Sequence, residues 1–137
     1  MKRTSVNPTP WGTQYSMDQG EVVDGLRRIL HVSGQASIGE DPDNPGTEMA
    51  LHAGNHREQF RTSLANLDEV LAGAGMKRSN ILLVRFYVAD MEGFNANFDV
   101  YKDWIDEAGI RPPQTVIGVQ CLALPEMLIE IEITAGD

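Results

Sequence analysis

Seven residues, Met49, Ala53, His56, Phe60, Leu64, Leu67 and Leu71, recur at steps of 4, 3, 4, 4, 3 and 4. That spacing lays one stripe along an α-helix. A stripe this long needs a second layer of structure to cover it. Gly54 interrupts the run at a cost of about 1 kcal/mol relative to Ala. Gly73 and Gly75 end it, where a left-handed C-cap residue is favoured. A second stripe, Phe94, Phe98, Tyr101, Ile105 and Ala108, predicts another helix, capped by Asp90 and stopped by Gly109.

Strands supply the covering layer. Ile81–Ala89 (ILLVRFYVA) is rich in β-branched and aromatic residues and reads as a well-buried strand. Met127–Thr134 alternates, with Ile129, Ile131 and Ile133 on one side and Leu128, Glu130, Glu132 and Thr134 on the other. Thr115–Leu122 is a third strand, entered through Arg111-Pro112-Pro113, which enforces extended backbone. Glu21–Asp24 and Arg28–Ser33 are two more, joined by Gly25-Leu26-Arg27. Residues up to Gly20 carry Pro8 and Pro10, which deny a regular helix, so this segment reads as an extended arm with Trp11 and Tyr15 packed down. Gly39–Gly46 is acidic and proline-rich and reads as a solvated loop without EF-hand spacing. The order is ββαβαββ, a single α+β domain over residues 1–137 with two helices on one face of a mixed sheet. The other face carries Glu130 and Glu132 beside uncovered apolar positions, which predicts an oligomer.

The 137 residues include 11 Lys+Arg against 20 Asp+Glu, a formal net charge of −9. Phosphate contacts need clustered cations, so the balance argues against a nucleic-acid or membrane-surface binder. A chain this long buries enough surface to fold without a disulfide or metal staple, and its one Cys excludes a disulfide framework or a CxxC site. The opening MKRTSVNPTPWGTQ lacks the apolar stretch of a secretory signal, and no later run approaches the ~18 apolar residues of a spanning helix. The expected location is the cytoplasm.

Few constellations carry chemistry. Glu130 and Glu132 share a strand face; in a partly dry cleft such a carboxylate serves as a general acid or base, while on a solvated face it is structural. His52 and His56 stand at i, i+4 on the first predicted helix, with His56 on its apolar stripe, but no third ligand accompanies them. His56 therefore reads as a packing residue and no metal or cofactor is expected. Cys121 lacks a basic partner to lower its pKa and reads as a buried structural thiol. Trp11, Trp104, Phe94 and Phe98 read as core, and no phosphate-binding glycine motif occurs.

One ordered set spans roughly residues 7 to 135. It comprises Tyr15-Ser16, Val32-Ser33-Gly34-Gln35, Gln59 with Asn66-Leu67, and Ala74-Gly75-Met76. It continues with Tyr87-Val88-Ala89-Asp90, Phe94 and Tyr101, then Arg111-Pro112-Pro113-Gln114-Thr115 and Leu128-Ile129-Glu130-Ile131-Glu132. In order and spacing it resembles the RidA family of reactive intermediate deaminases, also called YjgF. The resemblance implies a chorismate-mutase-like fold, a homotrimer with small-molecule clefts between subunits, and cofactor-free hydrolysis of enamines or imines such as 2-aminoacrylate. It places the water-orienting Glu at Glu130, the cleft Tyr at Tyr15 and the strand Ser at Ser33.

Two positions depart from the family pattern. The Arg that clamps the substrate carboxylate is Gln114 here, and a helix Asn is Phe98. A guanidinium offers a charged fork to a carboxylate, whereas an amide offers neutral dipoles. The substitution predicts weak 2-aminoacrylate turnover and a ligand less anionic than an amino-acid imine. Phe98 makes the cleft more apolar, and Arg111, three residues upstream, replaces the clamp if it points into the cleft. Three readings follow: a divergent hydrolase, a non-catalytic metabolite-binding trimer and, against the acid excess, an RNA-cleaving protein.

Overall fold

The computed structural model describes residues 1–137. Its central sheet contains β3 (Ile29–Gln35), β6 (Ile81–Val88), β7 (Gln114–Gly118) and β8 (Ile129–Gly136). The strand order is β3-β8-β6-β7, antiparallel except for the parallel β6–β7 pair. A parallel pair requires a crossover. Here α2 (Met91–Ala96) and α3 (Asp99–Asp106) provide it.

Beside them on the same face lies α1 (His56–Gly73). Phe60, Leu64, Leu67 and Leu71 of α1, with Phe94, Tyr101 and Ile105, are buried against Val84, Phe86, Val88, Ile129, Ile131 and Ile133. Fully burying one such aliphatic or Phe side chain contributes about 1.5–3 kcal/mol. The alternation read in β8 thus sorts its isoleucines to the helices and its glutamates to the open face.

Both predicted helices are shorter than their stripes. His52 and Gly54 adopt positive φ, 55° and 71°, so the helix starts only at His56, where the Asn55 side chain accepts from the Glu58 amide. Met49 instead lies in β5 (Glu48–Ala50), paired with β4 (Ile38–Glu40) at the start of the predicted loop. His52 and His56 therefore do not share a helical turn. The second stripe breaks between α2 and α3. The Asn97 side chain donates to the Gly93 carbonyl at 2.8 Å, competing with the backbone ladder as Asn does in helix interiors.

The N-terminal arm also differs from expectation. Its first residues form β1 (Lys2–Val6), which pairs with β2 (Gly20–Asp24). The prolines follow this strand and leave its ladder intact. Arg3 anchors it through Glu21 at 2.8 Å and the Ile81 carbonyl at 2.7 Å. Consequently β2 does not pair with β3 across Gly25. Trp11 is 54% exposed rather than packed down, and Cys121 is exposed rather than buried. β7 ends at Gly118, so Cys121 lies in the connection to β8. No helix is long and apolar enough to cross a membrane.

Candidate functional site

The open sheet face is built by register. Tyr87 pairs with Glu130 and Ile117, and Arg85 with Glu132 and Thr115, so these side chains share the face opposite the helices. Arg85 Nη1 donates to Glu132 Oε1 at 2.7 Å, and the Tyr87 hydroxyl donates to Oε2 at 2.9 Å. The bond to Glu132 is the main cause holding the Tyr87 phenol above its ordinary pKa. Glu132 is thereby engaged in a structural ion pair. Glu130, two residues away, has no hydrogen-bond or ion-pair partner among the protein groups.

Glu130 lines a groove of about 370 Å³ with Gly34, Tyr87, Cys121, Leu122 and Glu132. Between Val32↔Ile133 and Gln35↔Ile131 the β3 ladder slips, leaving Ser33 and Gly34 opposite one residue of β8. Such a bulge re-aims the strand. A Cβ at Gly34 would lie 1.9 Å from Glu130 Oε1, so glycine is what admits the carboxylate here. Ser33 is exposed and is not among the lining residues.

Tyr15, Phe98 and Gln114 come together elsewhere. With Met17, Phe94, Asn95 and Val116 they line a cavity of about 420 Å³ at the β7 edge, on the helix side of the sheet. The Tyr15 ring meets Phe98 edge-on, with centroids 6.3 Å apart. Gln114 Nε2 donates to the Tyr15 carbonyl at 3.0 Å, while Gln114 Oε1 is buried without a partner. An unpaired buried acceptor costs about 1–3 kcal/mol. Two further ties hold this stretch of the arm: Lys102 Nζ to the Gln14 carbonyl at 2.8 Å, and the Asp18 amide to the Arg111 carbonyl at 2.9 Å.

Arg111 does not reach that cavity. Its Nε lies 3.3 Å from the buried Asp18 carboxylate, in a separate polar groove with Arg3, Ser5 and Glu21. Burial raises the Asp18 pKa, but hydrogen bonds from Ser5 and Asn7 and the Arg111 charge outweigh it and hold the carboxyl below its ordinary value. One protomer therefore brings Tyr15, Phe98 and Gln114 together, sets Glu130 on the opposite sheet face, and turns Arg111 to the arm.

Sequence reasoning missed Arg85 and Tyr87 by reading Ile81–Ala89 as buried throughout. The signal was present in the i, i+2 spacing of Leu83, Arg85 and Tyr87. It also gave no role to Gln59. This 1%-exposed side chain donates to the Glu126 carbonyl and accepts from the Leu128 amide, both at 2.8 Å, and so fixes the entry to β8. No three His, Cys, Asp or Glu side chains converge as a metal-ligating cluster. The His52 ring pairs with the Ser37 hydroxyl at 2.9 Å, and His56 is buried.

Comparison with known proteins covers the same ground. The family model described as endoribonuclease L-PSP matches residues 14–136. A RutC family protein of Aquifex aeolicus is 33% identical, over 97% of this chain and 95% of its own length. The rat 2-iminobutanoate/2-iminopropanoate deaminase is 33% identical over 79% of this chain and 72% of its own. The crystal structure of the Rid-family protein YyfB from Yersinia pestis superposes with a TM-score of 0.78 at 31% identity, covering 100% of both chains. With its mixed α+β fold and a match running from Gln14 to Gly136, the chain belongs to the endoribonuclease L-PSP family, the YjgF/RidA group.

Proposed function

We propose that this chain is a divergent Rid-type hydrolase that cleaves a small imine or enamine, without metal or cofactor, in clefts between the subunits of a homotrimer. The observation carrying this reading is the unpaired Glu130 carboxylate in its groove, beside a Glu132 already engaged by Arg85 and Tyr87. A carboxylate with free lone pairs accepts a proton from water as the water oxygen adds to the imine carbon. The C=N electron pair moves to nitrogen, which takes up a proton. The carbinolamine then collapses to a carbonyl compound and ammonia. The deaminase name of the rat relative supports this class of reaction.

Because Gln114 and Glu130 lie on opposite faces of one sheet, the reading needs the helix-side cavity of one subunit to abut the open face of the next. Val116 and Ile117, exposed on the edge strand, support such an approach. Tyr15 and Gln114 would hold the ligand body, Phe98 would form its apolar wall and Ser33 would border the carboxylate. Arg111, paired with Asp18, would serve the arm. The proposed location is the cytoplasm, with no membrane or nucleic-acid partner.

The test is ammonia release from a panel of small imines generated in situ, with Glu130→Gln expected to abolish it. A particle mass other than three times the 15.1 kDa chain would sink the shared-cleft arrangement. The second reading, a metabolite-binding trimer without turnover, is favoured by the absence of any charged residue among those lining the Gln114 cavity. Ligand binding with no ammonia from any imine would select it. RNA cleavage is disfavoured by the −9 charge and predicts steeply salt-dependent RNA affinity.

A further inference from the structure

We infer that the Glu130 groove receives a cationic nitrogen, so that the substrate of the proposed hydrolysis enters protonated, as an iminium ion. This rests on the reading in which that groove is the reacting site. Its polar side chains offer a ligand almost nothing but acceptors. The Glu130 carboxylate has no protein partner and lines the groove directly. Ionised Glu132 can only accept, so the single Tyr87 hydroxyl hydrogen is committed to it. The Tyr87 oxygen is left with lone pairs alone. The Cys121 thiol is the one donor remaining among the lining side chains, and it is weak.

The charges on both sides of the shared cleft agree with that inventory. Arg85 and Glu132 offset one another as an ion pair at 2.7 Å, which leaves the Glu130 charge uncompensated on this face. The facing wall adds no cation, because all seven residues lining the Gln114 cavity are uncharged. Arg111 pairs with Asp18, Lys102 binds the Gln14 carbonyl, and neither is among those seven. The assembled cleft thus carries one net negative charge, at Glu130. A carboxylate taken from water is stabilised by N–H donors, and most by charged ones.

The nitrogen also needs a proton, and no acid stronger than a phenol or a thiol lines either wall. The bond to Glu132, with the Glu130 charge in smaller part, keeps the Tyr87 phenol above its ordinary pKa. An iminium brings its own proton. As the water oxygen bonds to carbon, Glu130 takes a water proton and the C=N pair moves onto nitrogen, neutralising it. Glu130 passes that proton to the nitrogen. It then takes the hydroxyl proton as the C–N bond breaks, freeing ammonia and the carbonyl compound, and loses it to solvent.

The experiment is calorimetric titration of the full chain with benzamidinium and benzamide, which share a shape and differ in charge and in one donor. Their ring suits the Val119, Leu122 and Ala123 side of a groove of about 370 Å³. Benzamidinium is expected to bind about tenfold tighter, the difference between a charged and a neutral hydrogen bond. Glu130→Gln should bring the two ligands within about twofold of each other. Asp43→Asn, which removes one charge from the exposed loop, should keep the ratio at about tenfold. Equal wild-type affinities, or no benzamidinium binding at about 10 mM, would overturn the inference. So would equal losses in Glu130→Gln and Asp43→Asn, by showing a general attraction to the −9 chain. The wild-type ratio decides it even if a variant misfolds. A preference that depends on Glu130, with no ammonia from any imine, leaves the cation site standing and ends the hydrolase reading; imine turnover without that preference does the reverse.

Discussion

The Glu130 carboxylate rests over Gly34, so close that a Cβ there would meet Oε1 at 1.9 Å and Cγ at 2.8 Å. Gly34 has no positive φ, so alanine is compatible with its backbone. Gly34→Ala should therefore displace the carboxylate at small cost in stability. A displacement of about 1 Å at a reacting group lowers turnover on the order of 10²-fold. We expect ammonia release by Gly34→Ala to fall toward that of Glu130→Gln, with a melting temperature close to wild type. Full activity would mean that the carboxylate acts from another rotamer.

Gln59 sets the same carboxylate from behind. Its amide satisfies the Glu126 carbonyl and the Leu128 amide just before β8, and Glu126 holds φ at 65° there. Gln59→Leu keeps the volume but strands both backbone groups, at about 1–3 kcal/mol in total because Glu126 is water-accessible. The urea midpoint should fall accordingly. Turnover should fall further than stability does, since the start of β8 sets the register of Glu130. Loss of stability with unchanged kcat would confine Gln59 to a folding role.

The sequence made the core legible because burial imposes a period. The Phe60–Leu71 stripe and the alternating isoleucines of β8 follow directly from it. What escaped is local competition for backbone groups, which periodicity does not encode. Gly54 ends a stripe whose spacing runs on to Met49, and Asn97 cuts a helix whose apolar spacing runs through the break. In the site, Tyr15, Phe98 and Gln114 meet in one cavity. The opposition of Gln114 and Glu130 depends on strand pairing: Gln114 pairs with the inward Val84, whereas Glu130 pairs with the outward Tyr87. No reading of one strand at a time supplies that.

Asp18 decides whether the Tyr15 wall stays in place. Its buried carboxylate accepts from Ser5 and Asn7 and pairs with Arg111 Nε at 3.3 Å, fastening the arm to the segment that leads into Gln114. Asp18→Ala leaves these donors without their acceptor and should destabilise the fold by about 1–3 kcal/mol, the lower end reflecting the exposure of Arg111. The Kd for a cavity ligand should rise, whereas Arg111→Ala, which keeps the Ser5 and Asn7 bonds, should cost less. A larger loss in Arg111→Ala than in Asp18→Ala would show that Arg111 itself meets the ligand.

His56 should make the protein less stable in mild acid. Both ring nitrogens are buried without partners, between Phe60, at 6.1 Å between centroids, and the cap of α2. Burial pushes its pKa below the ordinary 6.5, a fall that the nearby Asp90 carboxylate only partly opposes. The unfolded chain therefore binds this proton more readily than the folded one, and stability must rise with pH between the two pKa values. The contribution of neutral His56 is complete above about pH 6.5 and is lost as pH falls toward the folded value. Urea midpoints measured from pH 7.5 down to 5 should decline for wild type and decline less for His56→Phe, whose ring fills the site without titrating. Parallel profiles for the two proteins would show that the folded chain pairs the charged imidazole, with Asp90 as its counter-ion.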